Sequence, residues 1–229
     1  TQFAYSYRMN LNTSFTGDDN MYIRILSGNH SDWMKDSNDG GYLTSVGKSN
    51  SLTVDKIWYE FPVGDNNTVW VGPKIENYYM HGTAPSIYKP VTKQFTLGGN
   101  GNAYGASTDT GAGWAYKADN GFAISSNVGT KSKSTQKNAA GSYIDSGLLT
   151  DETKTSFATQ IGYTQPQYAV SAIVNLKYNG WADGYLHTLD ADSSVGTGNH
   201  TAYGLRGWWR PEETGSATPS ITVGYDTTE

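Results

Sequence analysis

The sequence predicts an all-β fold, an antiparallel transmembrane β-barrel of which about ten strands are present. Apolar and polar residues alternate with a two-residue period through ten segments of the chain. The connections between these segments alternate between short turns and long polar stretches. Aromatic residues concentrate near the short turns, as they do at the interfaces of membrane-spanning barrels.

The first predicted hairpin occupies residues 1–25. Apolar residues from Phe3 to Phe15 alternate with polar ones, and 17–20 carries the sequence Gly-Asp-Asp-Asn, which is typical of a tight turn. Met21, Ile23 and Ile25 form the returning strand. A long polar stretch, 29–50, follows.

The second hairpin is predicted at 52–71. Its first strand changes face at Asp55-Lys56, which indicates a β-bulge. The short turn is at 64–67, and Val69 and Val71 form the return strand. The longest irregular stretch runs from 76 to 108, and a connection of this length is usually functional or disordered.

The third hairpin is predicted at 112–128, because Asp119-Asn120-Gly121 is a strong short-turn signal between two alternating segments. A fourth, at 153–178, turns at 165–167. Its second strand has ten steps of roughly 3.3 Å and, tilted by about 40°, stands about 25 Å tall, the height of an outer-membrane apolar band. A fifth hairpin is predicted from 203 to 225.

The placement of the connections favours a barrel over a β-sandwich. A membrane barrel has short turns on one rim and long loops on the other, whereas a sandwich has no reason to sort its connections by length. The aromatic residues predicted to form an interfacial girdle beside the short turns are Tyr59, Phe61, Tyr116, Phe122, Tyr163, Tyr168 and Trp209.

Composition excludes several classes of protein. No apolar run approaches the roughly 18 residues of a membrane helix. The net charge of −5 argues against a nucleic-acid partner. There are no cysteines, the four histidines lack metal-ligand spacing, and no catalytic group is recognisable, so we expect no cofactor, no metal site and no enzymatic activity.

The polar face of the strands predicts the lining of a pore. If the apolar residues face lipid, the opposite residues face water, and basic side chains dominate among them. A basic wall would favour anions; alternatively, these charges are simply solvated. The predicted lining residues are Arg8, Arg24, Lys56, Glu60, Lys117, Lys177, Arg206 and Arg210.

Four residues of the 76–108 stretch are candidates for a constriction. Tyr78, Tyr79, His81 and Tyr88 would narrow the pore if this stretch folds into it. The alternative is that they form the packed base of an external loop.

Segments 11–19, 22–24, 52–64 and 69–72 resemble the cyanobacterial iron-uptake porins, relatives of the carbohydrate-selective porin family. This resemblance implies a homotrimeric barrel of roughly sixteen strands in the outer membrane of a Gram-negative-type bacterium. It also implies passive diffusion of small solutes and inorganic ions, and a separate domain that tethers the barrel to peptidoglycan.

The chain differs from the family pattern in length and at its ends. It has fewer strands, no tether domain precedes Thr1, and 226–229 is not an aromatic-ended strand. We therefore expect residues 1–229 to be the front part of a porin barrel domain, completed by further strands. The function expected is passive diffusion of small hydrophilic solutes and inorganic ions, with iron or anions among them. The alternative is a soluble or surface-attached β-sandwich that binds carbohydrate through its aromatic residues.

Overall fold

The chain folds into one antiparallel sheet in a computed structural model that describes residues 3, 5–29, 49–87, 103–104, 108–132, 153–181, 198–212 and 220–229. The ten strands of these residues follow one another in the sheet in chain order. They are β1 Ser6–Thr13, β2 Asn20–Gly28, β3 Thr53–Val63, β4 Asn67–Glu76, β5 Thr108–Lys117, β6 Phe122–Ser132, β7 Thr153–Gln165, β8 Tyr168–Tyr178, β9 His200–Trp209 and β10 Ile221–Thr228.

The prediction of ten strands in an all-β antiparallel fold is confirmed. The sheet is open, because no described strand pairs with the outer edge of β1 or of β10. Beyond the strands, the described residues contain one short 3-10 turn, Asn77–Met80. None of their helical segments is long and apolar enough to cross a membrane.

The predicted bulge in β3 is confirmed by its pairing with β2. Arg24 lies opposite Lys56 and Ile25 lies opposite Val54, so Asp55 is the extra residue. A second irregularity, in β4, was not predicted. The pairing of β4 with β5 shifts between Gly72 and Ile75, around Pro73, which has no N–H to donate to a ladder.

The described short turns connect neighbouring strands as predicted. The strands β7 and β8 pair from Gln165 and Tyr168 outward, so Pro166 and Gln167 alone form their turn. At the β5–β6 turn, Gly121 has a φ of +96°, a conformation that favours glycine. The predicted turn between β9 and β10 lies mostly outside the described residues.

The two faces of the sheet have opposite character. One face, here called the apolar face, exposes large hydrophobic side chains over most of the sheet. Its exposed members on the strands are Tyr7, Leu11, Val54, Val63, Val71, Trp114, Phe122, Phe157, Ile161, Tyr168, Val170, Val174, Tyr178, Tyr203, Leu205, Trp209, Ile221, Val223 and Tyr225. The other face, the polar face, buries polar and charged side chains, among them Lys56, Ser125, Asn127, Ser156, Gln160, Ser171, Asn175, Lys177 and Arg206. The same face also buries two apolar clusters, one around Trp58, Trp70 and Met80 and one around Tyr104 and Ile173. The exposure of so many large hydrophobic side chains on the other face is unlike the surface of a water-soluble protein.

Aromatic side chains of the predicted girdle are aligned across neighbouring strands. Phe122 lies opposite Tyr163, and Tyr168 lies opposite Trp209. The rings of Tyr163 and Tyr168 are 6.2 Å apart across their turn. These residues therefore form a continuous aromatic row beside the short turns.

Candidate functional site

The polar face is covered by part of the long connection between β4 and β5. Residues 77–87 and 103–104, which we call the inner segment, contact side chains from β2 to β10. The first stretch alone reaches from β2, through Tyr79, to β9, through Ala84, and it can do so because the sheet curves around it. The polar face is thus concave, and the inner segment lies in the concavity.

The first part of the inner segment is fixed by hydrogen bonds to side chains of β6 and β7. Gln160 binds the backbone of Thr83 twice, since its Oε1 accepts from the Thr83 N–H at 2.9 Å and its Nε2 donates to the Thr83 carbonyl at 2.8 Å. The Gly82 N–H donates to Ser125 Oγ at 2.8 Å. A buried amide side chain therefore takes the place of a neighbouring strand for this stretch of backbone.

The second part of the inner segment is fixed to β8 and β10. Asn175 Nδ2 donates to the Ala103 carbonyl at 2.9 Å, and the Tyr104 hydroxyl lies 2.8 Å from Ser171 Oγ. The Ala103 N–H donates to Asp226 Oδ2 at 3.3 Å. Burial raises the pKa of Tyr104 from 10 to about 12.

Glycines of the sheet leave room for the inner segment. A Cβ at Gly113 on β5 would lie 2.8 Å from Met80 Sδ, and a Cβ at Gly204 on β9 would lie 2.7 Å from Tyr104 Cε2. A Cβ at Gly162 on β7 would collide with Thr83. The inward positions of three strands thus lack side chains where the inner segment approaches the backbone.

His81, in the first part of the inner segment, contacts both the second part and the polar face of the sheet. Its Nε2 is 3.4 Å from the Tyr104 carbonyl oxygen, and its Nδ1 is 3.4 Å from Asn127 Nδ2 on β6. Because a carbonyl can only accept, Nε2 carries the ring proton and Nδ1 accepts from the amide. Burial lowers the pKa of His81 to about 4, so the ring is neutral at pH 7.

An aromatic cluster joins the inner segment to β2 and β3. The ring of Tyr22 stacks on Trp58 at 4.0 Å, and Tyr79 lies 4.6 Å from Trp58 and 4.4 Å from Tyr78. Lys56, which is fully buried, points its Nζ at the Tyr79 ring from 5.0 Å. This cluster gives the inner segment an apolar contact on the side opposite to Gln160.

Carboxylates neutralise three cations that the sequence analysis assigned to a basic wall. Ion pairs join Lys56 to Glu76, Arg24 to Asp55 and Arg206 to Asp226. The Arg206 guanidinium also lies 4.6 Å from the Tyr104 ring centre. These pairs lower the net positive charge of the wall, since their carboxylates lie beside the cations and not in the loops.

The remaining predicted lining residues are distributed along the polar face. Arg8 and Lys117 are exposed, Glu60 is half-buried and Lys177 is buried. Arg210 lies beside the β7–β8 turn, where its Nε donates to the Pro166 carbonyl at 3.2 Å. Of the constriction candidates, Tyr78, Tyr79 and His81 belong to the inner segment, and Tyr88 lies outside the described residues.

Several residues of the site were not singled out from the sequence. The inward amides Gln160, Asn127 and Asn175 and the glycines Gly162 and Gly204 hold the inner segment. The signal was an inward row of small and amide side chains on β6 to β9. Glycines at inward positions indicate that a stretch of backbone lies close to the sheet, because a pathway for ions or sugars does not require them.

No group of three or more His, Cys, Asp or Glu side chains that could hold a metal occurs in the described part of the chain. His81 is buried, His200 begins β9, and His30 and His187 lie outside the residues that the structure describes.

Comparison with known proteins gives one short similarity. Over 74 residues, 31% of this chain, the sequence is 35% identical to an uncharacterized protein of Synechocystis sp., and the matched region covers 14% of that protein. A cyanobacterial relative fits the origin expected from the sequence. No protein-family model and no solved structure matches the chain.

Proposed function

We propose that the chain forms part of the wall of an outer-membrane porin that admits small hydrophilic solutes and inorganic ions by passive diffusion. The observation that carries this proposal is the reversed polarity of the sheet. Its exposed face bears apolar side chains over most of its extent, and its concave face bears the amides, hydroxyls and ion pairs together with two smaller apolar clusters. Lipid is the solvent that matches an exposed apolar face of this extent.

Unpaired strand edges support the same proposal. Hydrocarbon does not tolerate a row of free backbone N–H and C=O groups, so β1 and β10 need further strands beside them in a membrane. Strands elsewhere in a longer polypeptide would provide them and close the barrel. The subunit would then assemble as a trimer and be tethered to peptidoglycan by a separate domain, as in the porins it resembles.

The inner segment acts as the constriction of this channel. It occupies the concavity of the wall, is held there from both sides, and presents Tyr78 and Tyr79 beside the paired charges of Lys56 and Glu76. Passage is therefore limited by size. Because three of the wall cations are paired, the preference for anions rests on Arg8, Lys117 and Arg210 and is weak.

The alternative of a carbohydrate-binding β-sandwich has less support. A sandwich needs two sheets that cover each other's apolar faces, whereas the described strands form one sheet with its apolar face exposed.

Solute flux into liposomes tests the proposal. The protein is purified in detergent, reconstituted into liposomes and exposed to uncharged solutes of increasing size. Swelling that is fast for small solutes and falls with solute size is expected. Swelling no faster than that of protein-free liposomes, from protein shown to be inserted, would overturn the proposal. The reversal potential of a single channel in a salt gradient tests the charge assignment, and a preference for cations would contradict it.

A further inference from the structure

The buried ring of His81 is a titratable group in contact with both parts of the inner segment and with the sheet. The Tyr104 carbonyl that faces its Nε2 also accepts from Asn77 Nδ2 at 2.7 Å. Tyr104 belongs to residues 103–104, His81 to residues 77–87, and Asn127 to β6. The ring also meets the Tyr104 ring edge-on, with centres 5.6 Å apart. A change at this ring therefore acts on all three elements together.

Protonation would break this arrangement. An added proton on Nδ1 would face the Asn127 amide nitrogen, which is also a donor, so the contact is lost unless the amide rotates to present Oδ1, which has no described hydrogen-bond partner. The ring would then be a charge in a site that excludes water.

The described ionisable groups around His81 offer the charged ring no direct partner. On the inner segment these groups are Tyr78, whose carbonyl accepts from the His81 N–H, and Tyr104. From β6 and β7 the nearby side chains are neutral, namely Asn127, Ser125 and Gln160. Two carboxylates belong to residues that adjoin this site, Glu76 before the inner segment and Asp226 beside Ala103. They are ion-paired with Lys56 and Arg206, respectively.

We propose that His81 is an acid-sensitive latch: protonation of its ring releases the inner segment from the sheet, and the release widens the passage. The release follows from the geometry of the His81 site alone. The widening rests on the proposed function.

The size of the response follows from linkage. Burial lowers the pKa of the latched ring to about 4 from 6.5, the value expected for the released ring. The released form thus binds a proton more tightly than the latched form does. Lowering the pH from 7 towards 4 therefore shifts the equilibrium towards release. Relative to pH 7, the ratio of released to latched protein rises about 20-fold at pH 5 and about 100-fold at pH 4.

Hydrogen exchange of the full chain in detergent micelles tests the latch without any measurement of transport. The reporters are the amides of Gly82 and Thr83, which donate to Ser125 and Gln160. After correction for the intrinsic exchange rate, their protection is expected to fall about 20-fold between pH 7 and pH 5. Equal corrected protection at both pH values would overturn the proposal.

Variants show whether the response belongs to His81. His81→Gln cannot titrate and should lose the acid response, whereas His200→Gln, at the start of β9, should keep it. If His81→Gln does not fold, Asn127→Asp provides the second test, because a carboxylate facing Nδ1 stabilises the protonated ring and should suppress release at pH 5. An undiminished acid response in His81→Gln, or in Asn127→Asp, would contradict the latch.

Single-channel conductance then tests the widening. Conductance that rises below pH 6 in the native protein and stays constant in His81→Gln is expected. Loss of protection without a rise in conductance would keep the latch and contradict the constriction, and an absence of channels would contradict the proposed function alone.

Discussion

The two sides of the concave wall hold the inner segment by different means. On the side of β2 to β4, buried ion pairs and stacked rings make the contacts, centred on Lys56, Glu76 and Trp58. On the side of β6 to β9, neutral amides and hydroxyls bind its backbone, and glycines admit it. The second side also carries one ion pair, Arg206 with Asp226, beside Tyr104. The first side depends mainly on charge balance, and the contacts around Thr83 on the second side depend on shape and hydrogen-bond geometry.

This difference bears on how the site responds to change. A buried charge that loses its partner is costly, while a neutral amide that is lost leaves one or two backbone groups unsatisfied. The charged side is therefore expected to tolerate substitution least. The neutral side is expected to change the position of the inner segment with a smaller loss of stability.

The largest effect is expected from Glu76→Gln, because Lys56 is fully buried and would lose its carboxylate. We expect a loss of about 3–5 kcal/mol in the free energy of unfolding. Urea titration of protein inserted in lipid vesicles measures it. The matched control is Lys117→Met, which removes an exposed charge of the same wall and should change stability by less than about 0.5 kcal/mol. A loss below about 1 kcal/mol for Glu76→Gln would contradict the ionic account of this side.

Adding a methyl group at Gly204 on β9 tests whether the inner segment packs against the backbone of this strand. Gly204→Ala places a Cβ 2.7 Å from the Tyr104 ring, whereas the Cβ of Gly207→Ala, on the same strand, would meet its nearest atom at 3.6 Å. We expect a destabilisation of about 1–3 kcal/mol for Gly204→Ala. Equal unfolding midpoints in urea for the two variants would show that the inner segment does not press on β9.

Removal of the Gln160 amide tests whether the position of the inner segment can change with only a small loss of protein stability. Gln160→Met leaves the Thr83 N–H and carbonyl without their described partners, at a cost of about 1–3 kcal/mol. Liposome swelling should show that larger solutes now enter. Gln165→Met serves as the control. This residue is half-buried at the turn end of the same strand and, among the described residues, its amide donates only to the Asn120 carbonyl at the rim, so the substitution should leave the size limit unchanged.

The smallest effect concerns the turns at the rim. The carboxylate of Asp19 accepts hydrogen bonds from Ser14, Thr16 and Tyr59, and these bonds hold its pKa far below its usual 3.8. Its contribution is complete above pH 3.8 and is lost as the pH falls below that value. Asp19→Asn should thus lower the thermal midpoint at pH 7, and the difference from the native protein should shrink in acid. Asn120→Ala, in the neutral β5–β6 turn, should show a difference that does not depend on pH.

The strands could be predicted because each satisfies a local rule. Two-residue alternation and the turn residues located all ten, and the change of face at Asp55 located the first bulge. The second bulge, at Gly72 and Pro73, gave no comparable change of face. The contacts of the polar face could not be predicted, because the partners are far apart in sequence. Gln160 and Thr83 are separated by 77 residues, and only the folded sheet brings them together.

The charge of the wall shows the same limit. Counting residues by face gave Lys56, Arg24 and Arg206 as a basic row. Their partners escaped this count for geometric reasons: Asp55 is the bulged residue, Glu76 ends β4 after a shift of register, and Asp226 lies on the last strand. A bulge, or the position of a strand at the edge of the sheet, changes which side chains are neighbours. This cannot be predicted from a two-residue alternation of the sequence.

The central claim is that the apolar face meets lipid and the polar face meets water. The chain has no cysteine, so single cysteines can carry a fluorescent label at Val170 or Leu205 on the apolar face and at Arg8 or Lys117 on the polar face. Quenching is then measured in vesicles with a lipid-soluble and a water-soluble quencher. The account predicts that the lipid-soluble quencher acts on labels at Val170 and Leu205, and the water-soluble one on labels at Arg8 and Lys117. Efficient quenching at Val170 and Leu205 by the water-soluble quencher alone would contradict it.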